Sequence, residues 1–207
     1  MNGFERRREK KKDSIRQAAL QLFMNHGMRR VSIGEIAAKA GVSQVTIYNH
    51  FGSKEELASH VIKHFLEEKW EEYLQQLEAP IPFIEKLNWF FLKRMQLFES
   101  FNLDFLEEFV MGHPDIAAIT KEYELKARPL MIAFIEEGKA TGFFNKELSL
   151  ETILLYLNLY STQMVTQLEQ LPDDETKRRV YKELLSIFFY GIAGEKAEEL
   201  KQTWSNQ

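Results

Sequence analysis

An all-α fold is what this sequence predicts, and three observations predict it. Apolar residues recur at helical spacing along most of the chain, no stretch alternates with period two between turn signals, and only 5 Pro and 10 Gly interrupt 207 residues. Apolar residues make up 44% and charged residues 28%, the balance of an ordinary globular chain with one or two domains and a sizeable core. Cysteine is absent, which excludes disulfides, thiolate metal sites and cysteine nucleophiles and fits a reducing cytoplasm. No apolar run approaches the ~20 residues of a membrane span. The N-terminus opens with charge rather than an apolar signal core, so the expectation is a cytoplasmic protein with no membrane partner.

From the N-terminus, a basic leader, Arg6 to Lys12, precedes the first amphipathic pattern, Ile15, Ala18, Ala19, Leu22 and Phe23, which Gly27 ends. By charge alone, this leader is equally a solvated tail or an arm for an anionic partner. Ser32 followed by Glu35 is a capping box that opens a short helix with Ile33, Ile36, Ala37 and Ala40 inward. Gly41 supplies the left-handed residue that closes it and Ser43 is the next N-cap, so about three residues join two helices at helix-turn-helix spacing. The third helix, Gln44 to about His50, is too short to stand without its neighbours. Phe51-Gly52 breaks the chain. Ser53 with Glu56 opens a long helix that runs to Leu77 and ends before Pro80 and Pro82. Further helices are expected near 82–100, 102–111, 114–141 with a kink at Pro129, 150–170 and 173–192, with a frayed piece from 195 to 204.

Charge is distributed unevenly. Net charge is −4, yet residues 1–63 carry 12 Lys/Arg against 6 Asp/Glu, leaving 15 against 25 for the rest. A basic segment on an acidic chain points to phosphates as the partner of that segment alone.

The run Ala37-Ala38-Lys39-Ala40-Gly41-Val42-Ser43-Gln44-Val45-Thr46-Ile47-Tyr48-Asn49-His50-Phe51-Gly52-Ser53-Lys54-Glu55-Glu56-Leu57 resembles the DNA-binding signature of the tetracycline-repressor (TetR) family of bacterial transcriptional regulators, and Ala18 to Phe23 with the Gly27 turn fit the same pattern. The likeness is dense over residues 14 to 60, with Val45 standing where the family often has a small residue. It implies a helix-turn-helix DNA-binding domain at residues 1–52 and a helical effector-binding and dimerisation domain at 53–207. It also implies a homodimer on a double-stranded operator with inverted half-sites, expected to act as a repressor released by a small hydrophobic effector. The residues agree with the first part. Ser43, Gln44, Val45 and Thr46 form the leading turn of a recognition helix, where Gln44 suits adenine and the Val45 and Thr46 methyls suit a thymine methyl. Tyr48 and His50 carry phosphate donors, Asn49 shares their helix, and Lys54 adds a cation in the next first turn. By family analogy Thr46, Tyr48, His50 and Lys54 are assigned to phosphates.

In the C-terminal part, the helix from Leu150 and the one ending near Ile192 are apolar over more than one face. The proline-containing connection makes them antiparallel neighbours, and two copies would form a four-helix interface using Leu154, Leu157, Val180, Leu184 and Phe188. Burial inside one subunit is the alternative. The aromatic and thioether residues Trp89, Met95, Phe98, Phe105, Phe109, Tyr123, Met131 and Phe134 are the candidates for an effector pocket, with a packed core as the alternative. His60, His64 and Glu67 have metal-ligand spacing on one helix face, although the same stripe reads as a solvated polar face. No HExxH, GxSxG or GxxxxGK[ST] motif occurs, and no cofactor is expected. Two other readings are an architectural DNA-binding protein without effector and a helical metal-dependent enzyme.

Overall fold

The computed structural model describes residues 3–100, 105, 108 and 114–194. Among these lie eight helices: α1 (Gly3–His26), α2 (Ile33–Ala40), α3 (Gln44–Phe51), α4 (Lys54–Glu78), α5 (Phe83–Ser100), α6 (Pro114–Ala140), α7 (Leu150–Glu169) and α8 (Asp174–Ile192). The one extended pairing among the described residues is an antiparallel bridge between Phe144 and Ala193. Of the expected helix at 102–111, Phe105 and Glu108 are described and both are helical. The expected piece at 195–204, like Phe109, lies outside the described residues. The helix that holds Pro129 continues across it. No helix among the described residues is long and apolar enough to cross a membrane.

The leader is the first part of α1 rather than a tail, because the helix starts at Gly3. Its strong helix formers favour this, and Glu5 in the first turn and His26 in the last suit the helix dipole.

Two compact units result. The first takes Met1–Glu71 with Ser100–Tyr123, the second Glu72–Glu99 with Glu124–Gln207, so the division does not fall at residue 52. The reason is packing. Leu57, Ala58, Val61 and Ile62 of α4 join Ile15, Phe23, Ile36, Ile47 and Phe51 in one buried cluster, and Phe105 and Ile116 complete it. α1 with the two short helices α2 and α3 buries little surface by itself, and this addition supplies further apolar area.

The second unit has its own core, dominated by rings. Phe134 lies 4.8 Å from both Phe83 and Phe90, Phe83 meets Phe144 edge-on at 5.4 Å, and Phe91 meets Phe189 at 5.5 Å. Gly138 makes this possible, since a Cβ there would fall 2.4 Å from the Phe144 ring. Lys86 is buried and donates to both oxygens of Glu137 at 3.1–3.2 Å.

Candidate nucleic-acid interface

The interface is assembled from local interactions outward. At the start of α2 the Glu35 N–H donates to Ser32 Oγ at 3.2 Å and the Ser32 N–H to Glu35 Oε2 at 2.7 Å, a complete capping box. The Ser32 hydroxyl, which donates to Glu35 Oε2 at 2.7 Å, and after it the Ser32 N–H hold the Glu35 carboxyl below its ordinary value. At the other end Gly41 adopts φ 66°, with its N–H on Ala38 and the Val42 N–H on the Ala37 carbonyl. That is a Schellman closure, and the left-handed residue it requires explains the glycine. Ser43 Oγ then accepts the Thr46 N–H at 3.1 Å and opens α3. Gly52, at φ 80°, closes α3 with its N–H on the Tyr48 carbonyl.

Ile47 and Phe51 anchor α3 in the core, leaving the opposite face to water. Val45 is 66% exposed and Tyr48 49%, whereas Ile47 is fully buried. Gln44 and Asn49 are also exposed, and Ser43 with them. The Gln44 side chain lies over the first turn of α2, where Gly34 leaves space: a Cβ there would stand 3.3 Å from Gln44 Nε2. Thr46 is half-buried and its hydroxyl shares a 2.9 Å hydrogen bond with Ser43 Oγ, so its methyl is the part left for an apolar contact. His50 is half-buried, and among the described residues its Nδ1 has no hydrogen-bond partner. Burial first, then the cations Arg8, Lys12 and Lys11, hold this imidazole below its ordinary value against an opposing push from Glu9. Lys54 Nζ donates to the Arg29 carbonyl at 3.0 Å, so one of its donors holds the α1–α2 turn.

The residue that pattern reading passed over is Glu108. Its side chain, 8% exposed, accepts the backbone N–H groups of Met28 and Arg29 and lies 3.7 Å from Arg29 Nε. A buried carboxylate needs such partners, and here they are the amides of the turn between α1 and α2. The one signal in the sequence is its place three residues after Phe105, hence on the same helical side. Beside it opens a cleft of about 480 Å³ lined by Met28, Arg29, Lys54, Glu55, Ala58, Glu108 and Ile116.

The expected pocket residues divide between the units. Phe105 is fully buried in the first unit's core, and half-buried Tyr123 of the same unit meets half-buried Trp70 edge-on at 6.3 Å. In the second unit Trp89 packs on Tyr73 at 5.2 Å, Phe134 sits in the ring cluster, and Met95 and Met131 are half-buried. Phe98 lies in α5, and Phe109 falls outside the described residues. Of the residues expected at a dimer face, Leu154, Leu157, Val180 and Leu184 are half-buried, and Phe188 points inward, stacked on Tyr156 at 5.3 Å. Among the described residues of α7 and α8, the apolar side chains most open to water are Leu155, Ile187, Leu159 and Tyr190. His64 lies 3.7 Å from Glu67 and 3.5 Å from Glu68, while His60 meets the Phe51 ring edge-on.

Residues 15–61 match the family described as "Bacterial regulatory proteins, tetR family". Residues 15–61 therefore carry a TetR-type N-terminal domain. It is 23% identical over 151 residues to the HTH-type transcriptional repressor KstR2 of Mycolicibacterium smegmatis, covering 71% of this chain and 74% of that protein. Among solved structures, a TetR-family transcriptional regulator from Agrobacterium tumefaciens superposes with TM-score 0.70 at 15% identity, covering 90% of this chain and 100% of that one. The FadR regulator of Bacillus subtilis, in complex with stearoyl-CoA, gives TM-score 0.60 at 18% identity over 86% and 98%. These two likenesses show that the chain shares the fold of those regulators. The matched family is one of bacterial regulatory proteins, and the relatives similar to this chain are transcriptional repressors.

Proposed function

We propose that this chain is a cytoplasmic TetR-family repressor that reads its operator with α3 and is released when a hydrophobic small molecule binds the second unit, acting by binding and not by catalysis. The observation that carries the DNA-reading part is the exposure of Val45 and Tyr48 on a helix capped at both ends: large apolar side chains left in water on a rigid helix mark a docking face. Ser43 and Gln44 to Thr46 supply the leading turn that enters the major groove, with Gln44 on a base edge. Tyr48, Asn49 and His50 flank it at the phosphates, and Lys54 joins them with the donors it does not spend on Arg29.

The effector part draws on the packed rings that include Trp89 and Phe134, on half-buried Met95 and Met131 of the same unit, and on the stearoyl-CoA bound by a protein of like fold. An acyl chain or another bulky apolar compound suits those surfaces. The dimer part draws on Leu155 and Ile187, 61% and 58% exposed on α7 and α8, with Leu159 and Tyr190 nearby in sequence. Two copies joined there would present two recognition helices to half-sites about one duplex turn apart, ~34–36 Å. α4, which carries residues of both units, is the element through which a bound effector changes that spacing.

The test is selection of bound duplexes from a random library, followed by titration of the winning sequence. The expected result is an inverted repeat whose preference at one position in each half relaxes in Gln44→Ala, by roughly 1–3 kcal/mol of discrimination. Recovery of no common sequence would favour the architectural reading.

A further inference from the structure

The N-terminal half of α1 carries charge where its C-terminal half carries core. Helical spacing puts Arg8, Lys11, Lys12, Ile15 and Ala19 on one side of α1. Toward the C-terminus that side is core, with Ile15 and Ala19 fully buried. Toward the N-terminus it leaves the core and turns cationic, with Arg8 and Lys11 exposed and Lys12 half-buried. Arg6 and Lys10 point the other way, on the side of exposed Gln17. Two further observations locate the cationic stripe. Ser14 Oγ donates to the Ala40 carbonyl at 3.2 Å, so α1 crosses beside the turn that leads into α3. Arg8, Lys12 and Lys11 are also the cations felt by His50, in the last turn of α3. The part of α1 ahead of that crossing, Gly3 to Asp13, extends about 16 Å at 1.5 Å per residue.

A flexible basic tail would lose much conformational entropy on meeting DNA, whereas a helix continuous with the folded head has lost it already. Glu9 moderates the charge by pairing with Lys12 at 3.3 Å, and Asp13 pairs with Arg16. These pairs also hold the side chains along the helix.

We propose that Arg8, Lys11 and Lys12 form a second DNA contact, a fixed helical extension that grips duplex phosphates next to those reached by α3. This rests on the reading of α3 as the recognition helix. It lengthens the bound site and places part of the affinity outside the base-reading residues, so this part is indifferent to sequence.

The full chain and three variants are titrated against a fluorescein-labelled mixed-sequence duplex of about 30 base pairs at ~50, ~100 and ~200 mM NaCl. The variants are Arg8→Gln/Lys11→Gln/Lys12→Gln, the opposite-side Arg6→Gln/Lys10→Gln, and the charge-keeping Arg8→Lys/Lys11→Arg/Lys12→Arg. Each phosphate left unneutralised lowers the slope of log K against log salt by about 0.9, so the triple neutral variant should lose roughly 2 to 5 in slope for a dimer and at least about tenfold in affinity. The opposite-side variant should stay within about twofold and the charge-keeping variant should retain the slope. All three should keep the unmodified denaturation midpoint, because none of the altered residues belongs to the core. An unchanged slope in the triple neutral variant, or an equal loss in the opposite-side variant, overturns the proposal while leaving α3 in place. If the unmodified chain binds no duplex, the recognition-helix reading itself fails and takes this inference with it.

Discussion

The two units leave different kinds of side chain in water. In the first, the exposed large apolar residues among those described, Val45 and Tyr48, both lie on the free side of α3, and cations lie on the adjoining part of α1. In the second they are aliphatic and aromatic residues of α5 to α8, led by Leu155 and Ile187, on an acidic chain segment. Apolar surface next to positive charge suits a duplex, which offers thymine methyls and phosphates together. Apolar surface on a pair of antiparallel helices suits another copy of those helices, which offers the same surface in return.

Substitutions in each unit put that contrast at risk. The largest effect should come from the cores. Phe23→Ala in the first unit and Phe134→Ala in the second should each cost about 3–5 kcal/mol, read by chemical denaturation. Two separate transitions, each shifted by one variant alone, would show that the units melt independently, and a single shared transition would show that they do not. Next in size, Leu155→Glu/Ile187→Glu should turn the dimer into a monomer by analytical ultracentrifugation with little change in helical content. A dimer that survives would move the interface off these side chains. Tyr48→Ala should weaken duplex binding about tenfold or more while shifting stability by no more than ~0.5 kcal/mol, since an exposed side chain loses little packing. Equal losses in stability and binding would instead make Tyr48 a packing residue.

Ser32→Ala removes the cap of α2 and should cost about 1 kcal/mol, measured by denaturant midpoint. The smallest effect belongs to His50. Its folded imidazole binds a proton at lower pH than an unfolded one, so the neutral form stabilises the fold above the ordinary histidine range, and that contribution is lost as pH falls through the depressed value. His50→Gln should therefore flatten the acid side of the stability profile, and neutralising Arg8, Lys11 and Lys12 should raise the His50 proton affinity by NMR titration.

Much of the head was legible because its signals are local. Ser32 with Glu35, Gly41, and Ser43 with Thr46 each act across five residues or fewer, and each appears as a cap in the fold. The free side of α3 was harder to read, because Val45, Ile47 and Tyr48 are all apolar in a helix of eight residues and only the fold buries Ile47 while leaving the other two in water. The start of α1 was less legible, because a charge run carries no apolar periodicity to reveal its helix. The pocket candidates were least legible. Phe105 and Phe134 have the same chemistry and similar spacing, yet one fills the first unit's core and the other the second's.

The all-helical class, the turn that joins α2 to α3 and the placement of positive charge at one end follow from the order of residues alone, because caps, periodicity and composition are properties of chain neighbours. It took the folded molecule to show that Glu108 holds the amides of Met28 and Arg29, that Lys54 ties to the Arg29 carbonyl, and that Phe188 turns inward while Ile187 faces water. Such choices depend on which distant surfaces must share the removal of water and the satisfaction of buried polar groups, and no short window of residues contains both partners.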